Sequence, residues 1–193
     1  LFLAALYHDS GKPATRRVEP GGRVRYFGHE QADEQVVHER AVQLRLSGEE
    51  IERVSAVVAH HLRPILLAQE PEPPSHRAVY RFFRDAGPAG VEICLLSLAD
   101  VLGTYGPALP PDAWQDQLDA VRTLLEAWWE QRAERVLPDP VIDGRELMKN
   151  LSLQSGPEVG RLLEAIREAQ AAGEVRSREE ALELARRIVD GGV

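Results

Sequence analysis

The sequence has a single cysteine and no long uninterrupted run of apolar residues. Cys94 has no partner for an internal disulfide, which excludes a disulfide-stabilised fold and fits a reducing cytoplasm. No apolar stretch approaches the roughly 18–20 residues that a membrane span requires, and no signal peptide is visible. We therefore expect a cytoplasmic protein with no membrane partner.

The sequence also lacks an excess of positive charge, because its formal net charge is −8. This balance argues against a generic nucleic-acid-binding surface. The charge is uneven, since residues 1–30 hold five basic groups against three acidic ones, and residues 139–193 hold eight against eleven. Each phosphate contact needs a positive partner, so we expect only weak RNA binding by this chain.

An initiating methionine is absent, and residues 1–6 already follow an apolar helical pattern with no cap residue before them. We interpret the sequence as a fragment of a longer polypeptide. Its 193 residues, 44% of them hydrophobic, suffice for one domain with a small appendage.

Apolar residues recur at helical spacing almost throughout, which predicts an all-α protein, with a bundle of six to eight helices in residues 1–135. The exception is 14–27, where two short runs flank a Pro-Gly-Gly turn and indicate a small hairpin or an ordered loop. Ser47 is a predicted N-cap, and Ser177 begins a predicted capping box. The prolines of 136–142 predict an extended linker, so we expect a domain over 1–135 and a small helical unit over 143–193.

A His-Asp pair, His8-Asp9, follows the first apolar run, and Gly11 and Pro13 end that helix. An imidazole and a carboxylate side by side at a helix end can bind one divalent cation. Lys12 is then free to approach a phosphate as a point charge. Such a dipeptide is common by chance, so the pair alone does not establish a metal site.

Three further positions have the residue types of metal ligands. His29 begins a helix and shares a predicted face with Ala32 and Val36, although a histidine at a helix start is a common arrangement. His60 and His61 end an apolar-faced helix, where adjacent residues can contribute to one site only at a terminal turn. Asp100 lies in an apolar helix that we expect to be buried, and a carboxylate there needs a partner. By contrast, we expect His38 and His76 at the surface.

Taken together, the order His-Asp, His, His-His, Asp resembles the HD superfamily of metal-dependent phosphohydrolases. The resemblance implies that His8, Asp9 and Asp100 bind one metal. It also implies that Asp9 bridges to a second metal, held by His29 and one or both of His60 and His61. The family's first histidine would precede His8, and no histidine stands there, so we expect low activity that rises when the preceding helix is restored.

Longer motifs narrow the resemblance. The segments HDSGKPATR, YFGHE and VVAHHLRP are similar to the HD region of bacterial CCA-adding tRNA nucleotidyltransferases and poly(A) polymerases. The segments DGRELM, SGPEVG and GEV, together with residues 177–184, are similar to the C-terminal part of the same enzymes. Asp33-Glu34 departs from the pattern, which usually has small residues after Gly-His-Glu. In that family the nucleotidyl-transfer chemistry lies in an N-terminal domain that these motifs do not include.

The resemblance implies hydrolysis of phosphomonoesters or 2′,3′-cyclic phosphodiesters, with nucleotides or RNA ends as substrates. Asp9 and Lys12 are the expected catalytic residues, and Lys12 and Arg63 are expected to bind the substrate phosphate. The mixed ligands favour Mn, Ni, Co, Fe or Zn, with Mg left open. We expect tRNA as a partner of the full-length protein and leave a homodimer open. Two alternatives remain, a non-catalytic scaffold for tRNA docking or dimerisation and a stand-alone nucleotidase.

Overall fold

The computed structural model describes residues 1–191, and helix accounts for 72% of the chain, which confirms the all-α prediction. The α-helices are α1 (Phe2–Tyr7), α2 (Lys12–Thr15), α3 (His29–Gln43), α4 (Gly48–His60), α5 (Arg63–Ala68), α6 (His76–Ala86), α7 (Gly90–Tyr105), α8 (Pro111–Glu130), α9 (Gly144–Leu151), α10 (Pro157–Ala172) and α11 (Arg178–Val189).

The hairpin expected within 14–27 is present. Strand β1 (Arg17–Val18) pairs antiparallel with β2 (Val24–Arg25), and Arg17 lies opposite Arg25 in the register. The Glu19 amide donates to the Arg23 carbonyl at 2.8 Å and closes the turn.

The chain forms two compact units, and the boundaries between them do not coincide with the expected linker at 136–142. The first comprises Leu1–Pro73 and Asp85–Leu125, and the second comprises Pro74–Arg84 and, within the described chain, residues 126–191. Helix α8 ends at Glu130, and a π-helical turn, Arg132–Val136, follows it before the non-helical residues 137–143. Packing in the folded state does not show which part folds alone, so the domain division at 136–142 stays a prediction.

In the first unit, α3 packs along α4, and α4 packs on α7. Ser47 caps α4, as predicted, and it forms a full capping box with Glu50. The buried residues of α3 recur at every fourth position, whereas Val36, which we expected on the core face, is 39% exposed. The fully buried apolar side chains of α3, α4 and α7 are Val37, Ala41, Val57, Val58, Ile93, Cys94 and Leu96.

Helix α7 was expected to be buried on all sides, but one of its faces is partly exposed. Leu95 is 45% exposed and Leu102 is 48% exposed, although the opposite face of the helix is buried. Burial raises the pKa of the Cys94 thiol on that buried face to about 12.

The second unit has its own apolar core, formed by α9, α10 and α11. Gly173 ends α10 in the left-handed conformation, and Ser177 and Glu180 form the predicted capping box at α11. The core residues are Ile142, Leu147, Leu162, Ile166, Ala169, Val175, Ala181, Leu182 and Ala185.

Helix α6 joins this unit through charged contacts with α10. Glu168 is only 8% exposed, and its carboxylate accepts hydrogen bonds from Arg77 at 2.7 Å and from Arg81 at 2.7 and 3.0 Å. These guanidinium groups, Arg81 foremost, lower the pKa of Glu168. The Tyr80 hydroxyl donates to the carboxylate of Glu164, which lies one helical turn before Glu168 in α10.

One stretch, His76–Ala108, is long and apolar enough by length and composition to cross a membrane, with a mean hydropathy of 1.4 over its most apolar part. We expected no such segment from uninterrupted apolar runs, but an average tolerates isolated carboxylates such as Glu92 and Asp100. Of that part, 44% is buried, and core helices of soluble proteins meet the same criterion. The absence of a membrane partner and the cytoplasmic location stay predictions.

Candidate metal centre

The His-Asp pair lies where α1 ends. His8 is the C-cap of α1, and its Nδ1 donates to the Ala5 carbonyl at 2.9 Å. Asp9 follows, and the Lys12 ammonium donates to its Oδ2 at 2.6 Å. A short turn thus holds an imidazole, a carboxylate and a cation together in the first unit.

Helix α3 contributes two side chains from its first turns. Gly28 precedes the helix with a φ of 74°, a conformation that glycine adopts without strain, and His29 follows it. The His29 Nδ1 donates to the Tyr26 carbonyl at 2.8 Å. Asp33, one turn later, is fully buried, and its carboxylate accepts from the Gly11 amide.

His61 and Asp100 complete the arrangement. His61 is the C-cap of α4, is fully buried, and its Nδ1 donates to the Val58 carbonyl at 2.7 Å. Asp100 lies within α7, and the Thr104 hydroxyl donates to its carboxylate at 3.3 Å. Because α4 packs on α7 and on α3, His61 and Asp100 lie near the side chains from the turn after α1 and from the start of α3.

These side chains form two groups that share one carboxylate. In the first group, His8 Nε2 lies 3.6 Å from Asp9 and 3.5 Å from Asp100. In the second, His29 Nε2 lies 3.5 Å from Asp9 and 4.0 Å from Asp33. Within each group all potential ligand atoms lie within 4.8 Å of one another, and the groups are His8, Asp9, Asp100 and Asp9, His29, Asp33, His61.

The three histidines present the same ring nitrogen to the site. A carbonyl can only accept, so in each neutral ring the proton is on Nδ1 and the lone pair is on Nε2. In the described part of the chain, Nε2 of His8, His29 and His61 is buried without a hydrogen-bond partner. A buried lone pair without a donor is costly, and a cation satisfies it. Backbone-oriented imidazoles of this kind are typical of metal ligands, so the residues fit a divalent metal.

The charges in the site shift its titrations. The Asp100 carboxylate beside His8 raises the pKa of that imidazole, and His8 in turn lowers the pKa of Asp100. Burial lowers the pKa of His61 and raises the pKa of Asp33. The neighbouring carboxylate and burial thus shift the pKa values of His8 and His61 in opposite directions.

Five of the six predicted ligands are brought together, and His60 is in neither group among the described residues. Burial and the charge of Arg63 lower the pKa of His60. Arg63 itself donates to Asp85 at 2.8 Å. His38 and His76 are exposed, as expected.

Asp33 was not among the predicted ligands. The sequence contains a signal for it, because Asp33 stands four residues after His29 and therefore lies on the same face of a helix. We instead assigned that face from the apolar residues Ala32 and Val36. The departure from small residues at this position was the second signal.

Comparison with known proteins agrees with this geometry. Residues 1–104 match the model of the HD domain family, and residues 119–185 match a family described as tRNA nucleotidyltransferase domain 2. No solved structure gives a significant match.

Two curated relatives are similar over most of the chain. A CC-adding tRNA nucleotidyltransferase of Thermus thermophilus is 36% identical over 180 residues, which are 93% of this chain and 38% of that protein. An A-adding tRNA nucleotidyltransferase of Deinococcus radiodurans is 31% identical over 182 residues, which are 94% of this chain and 40% of that protein. The chain thus spans about two fifths of the length of these relatives. Because the HD model covers more than half of its residues, the chain belongs to the HD domain family, and it is homologous to CC-adding and A-adding tRNA nucleotidyltransferases.

Proposed function

We propose that this chain is a metal-dependent phosphohydrolase that cleaves phosphomonoesters or 2′,3′-cyclic phosphodiesters, with RNA ends as the substrate class. The observation that carries the proposal is the set of three buried Nε2 lone pairs, on His8, His29 and His61, directed at two carboxylate-containing groups. The tRNA-related relatives support RNA ends as the substrate class, and tRNA as a partner of the full-length protein.

The residues divide the work as follows. His8, Asp9 and Asp100 would hold one divalent ion, and Asp9, His29 and His61 would hold a second, with His60 kept as a further candidate. A bound metal supplies an activated water for attack at phosphorus and neutralises charge on the phosphate oxygens. Mn, Ni, Co, Fe or Zn fits mixed imidazole and carboxylate ligands, and Mg is left open.

Two cations are proposed to bind the substrate phosphate. Lys12 contacts Asp9 and is 38% exposed in its side chain, so a phosphate oxygen that reaches the site can accept from its ammonium group. Arg63 lies next to the His60-His61 pair, but its ion pair with Asp85 holds the guanidinium in place. Binding by Arg63 therefore requires that it exchange or share this partner.

The test is hydrolysis of p-nitrophenyl phosphate and of a 2′,3′-cyclic nucleotide, with each metal in turn and with a chelator. We expect metal-dependent activity that falls at least about 100-fold in His29→Gln, since even residues that only support a ligand contribute about 10–100-fold. The matched control is His38→Gln, which removes an exposed histidine from the same helix and should leave activity unchanged.

The same proteins distinguish the alternative of a non-catalytic scaffold. A purified chain that contains no transition metal and hydrolyses neither ester, in every metal tested, contradicts the hydrolase. Equal activity in His29→Gln and His38→Gln would likewise place the activity outside this site.

A further inference from the structure

Asp33 is a buried carboxylate whose two oxygens have different surroundings. Its side chain is 0% exposed. Oδ1 accepts a hydrogen bond from the Gly11 amide in the turn that follows the His-Asp pair. Oδ2 is buried and has no hydrogen-bond partner in the described residues, although it lies 4.0 Å from His29 Nε2.

A purely structural role explains only the first oxygen. A residue that merely bound the Gly11 amide would need one acceptor, and asparagine or serine supplies one without a charge. The second oxygen instead leaves a buried acceptor unsatisfied beside the Asp9 carboxylate, an arrangement that is costly unless a cation lies between them.

The surroundings of this oxygen supply the other ligands of such a cation. Ligand atoms of Asp9, His29, Asp33 and His61 all lie within 4.8 Å of one another. Nε2 of both histidines is buried and has no hydrogen-bond partner among residues 1–191, like Oδ2 of Asp33. Two imidazoles and two carboxylates form a complete protein ligand set that neutralises a divalent ion.

We propose that Asp33 is itself a ligand of the metal at Asp9, His29 and His61, and that it sets which metal binds there. The inference rests on the metal-dependent function proposed above. Carboxylate ligands suit Mg and Mn, whereas imidazole suits Zn, Cu, Fe and Ni. The second carboxylate therefore shifts the preference of this group toward Mn²⁺ relative to Zn²⁺.

The test variant is Asp33→Asn, which keeps an oxygen for the Gly11 amide and replaces the free carboxylate oxygen by an amide nitrogen. The control is Glu34→Gln, which removes one negative charge from the neighbouring, exposed position. We would measure Mn²⁺ and Zn²⁺ affinity by titration of the chelated protein, and the visible absorption spectrum of the Co²⁺-loaded protein.

We expect the Kd for Mn²⁺ to rise at least about tenfold in Asp33→Asn and the Kd for Zn²⁺ to rise less. The Co²⁺ spectrum should also change, since it reports the ligand set directly, whereas Glu34→Gln should match the parent in every readout. An unchanged Co²⁺ spectrum in Asp33→Asn overturns the inference, even if affinity falls, because the side chain would then act only through Gly11.

Two further measurements keep the result interpretable. If the asparagine variant does not give a native circular dichroism spectrum, Asp33→Ser replaces it, since serine also offers an acceptor but cannot ligate as a carboxylate. If the parent protein binds none of the metals, the proposed function itself fails. If the parent binds metal and Asp33→Asn is indistinguishable from it, only the role of Asp33 is wrong.

Discussion

Gly11 is the residue at which the metal centre and the backbone of α3 come closest together. A Cβ atom at this position would lie 2.6 Å from the Ala32 Cβ and 2.9 Å from both the Asp33 nitrogen and the His29 carbonyl oxygen. Two of these three atoms belong to the backbone and cannot rotate away. The close approach also allows the Gly11 amide to reach the Asp33 carboxylate.

Substitution Gly11→Ala should therefore lower the free energy of unfolding by about 1–3 kcal/mol, the usual cost of overpacking. Metal content should fall as well, because α3 must shift relative to Asp9. Chemical denaturation and metal analysis measure the two effects. Gly48→Ala is the control, since no atom of the described residues is recorded within 4 Å of its added methyl group and alanine favours a helix start. Equal stability of Gly11→Ala and the parent would show that the turn moves freely.

The residues of the candidate site differ in how well the sequence alone predicts their roles. His8, Asp9 and Asp100 could be identified because a motif orders them along the chain. The choice between His60 and His61 could not be made, because adjacent helical residues differ by about 100° and the phase of a last turn depends on what packs against it. Among the described residues, His61 belongs to one of the two ligand groups and His60 belongs to neither.

At the scale of elements, α6 and α10 meet through ion pairs centred on one carboxylate. Glu168 is nearly fully buried and pairs with Arg77, Arg81 and, at 3.8 Å, Arg84, whereas Glu174 pairs with Arg77 and has a side chain that is 58% exposed. Two carboxylates of the same unit thus contact the same helix with very different access to solvent.

We expect Glu168→Gln to lower the free energy of unfolding by about 1–2 kcal/mol, less than a fully buried charged contact because the arginines are partly solvated. The pKa of Glu168 is lowered by these arginines, so its contribution is present above the ordinary value of 4.5 and is lost as the pH falls through the lowered pKa. Urea denaturation at pH 7 and pH 3 should show the difference between parent and variant shrinking at the lower pH. Glu174→Gln should have a small effect at both values, and an equal effect of the two variants would contradict this account.

Elements were predictable where their signals are local. The capping boxes at Ser47 and Ser177 depend on four consecutive residues, and both are present. The buried stripe of α3 was predicted only in part: His29 was placed on it, whereas Asp33 is polar and gives no apolar signal. A pattern based on hydrophobicity alone therefore does not identify the position of a polar candidate ligand on the buried face of α3.

At the scale of the whole molecule, the net charge of −8 governs association with polyanions. We expect this chain to bind tRNA more weakly than a Kd of about 1 μM at physiological salt, because its net charge is negative and each phosphate contact needs a positive partner. A filter-binding or anisotropy titration over a range of salt concentrations measures this. Submicromolar binding with a steep dependence on salt would contradict the expectation.

Because Cys94 is buried, the rate at which its thiol is alkylated reports how often the surrounding structure opens. A thiol with a pKa near 12 and no exposed surface reacts with an alkylating reagent only when the helix around it opens. Since the sequence contains no other thiol, the mass added over time counts opening events of the first unit alone. A metal that binds the native site at 100 times its Kd stabilises by about 2.7 kcal/mol, so alkylation should slow about 100-fold when opening releases the metal. The alkylation rate of Cys94, followed by mass spectrometry, therefore measures metal affinity without any change to the sequence.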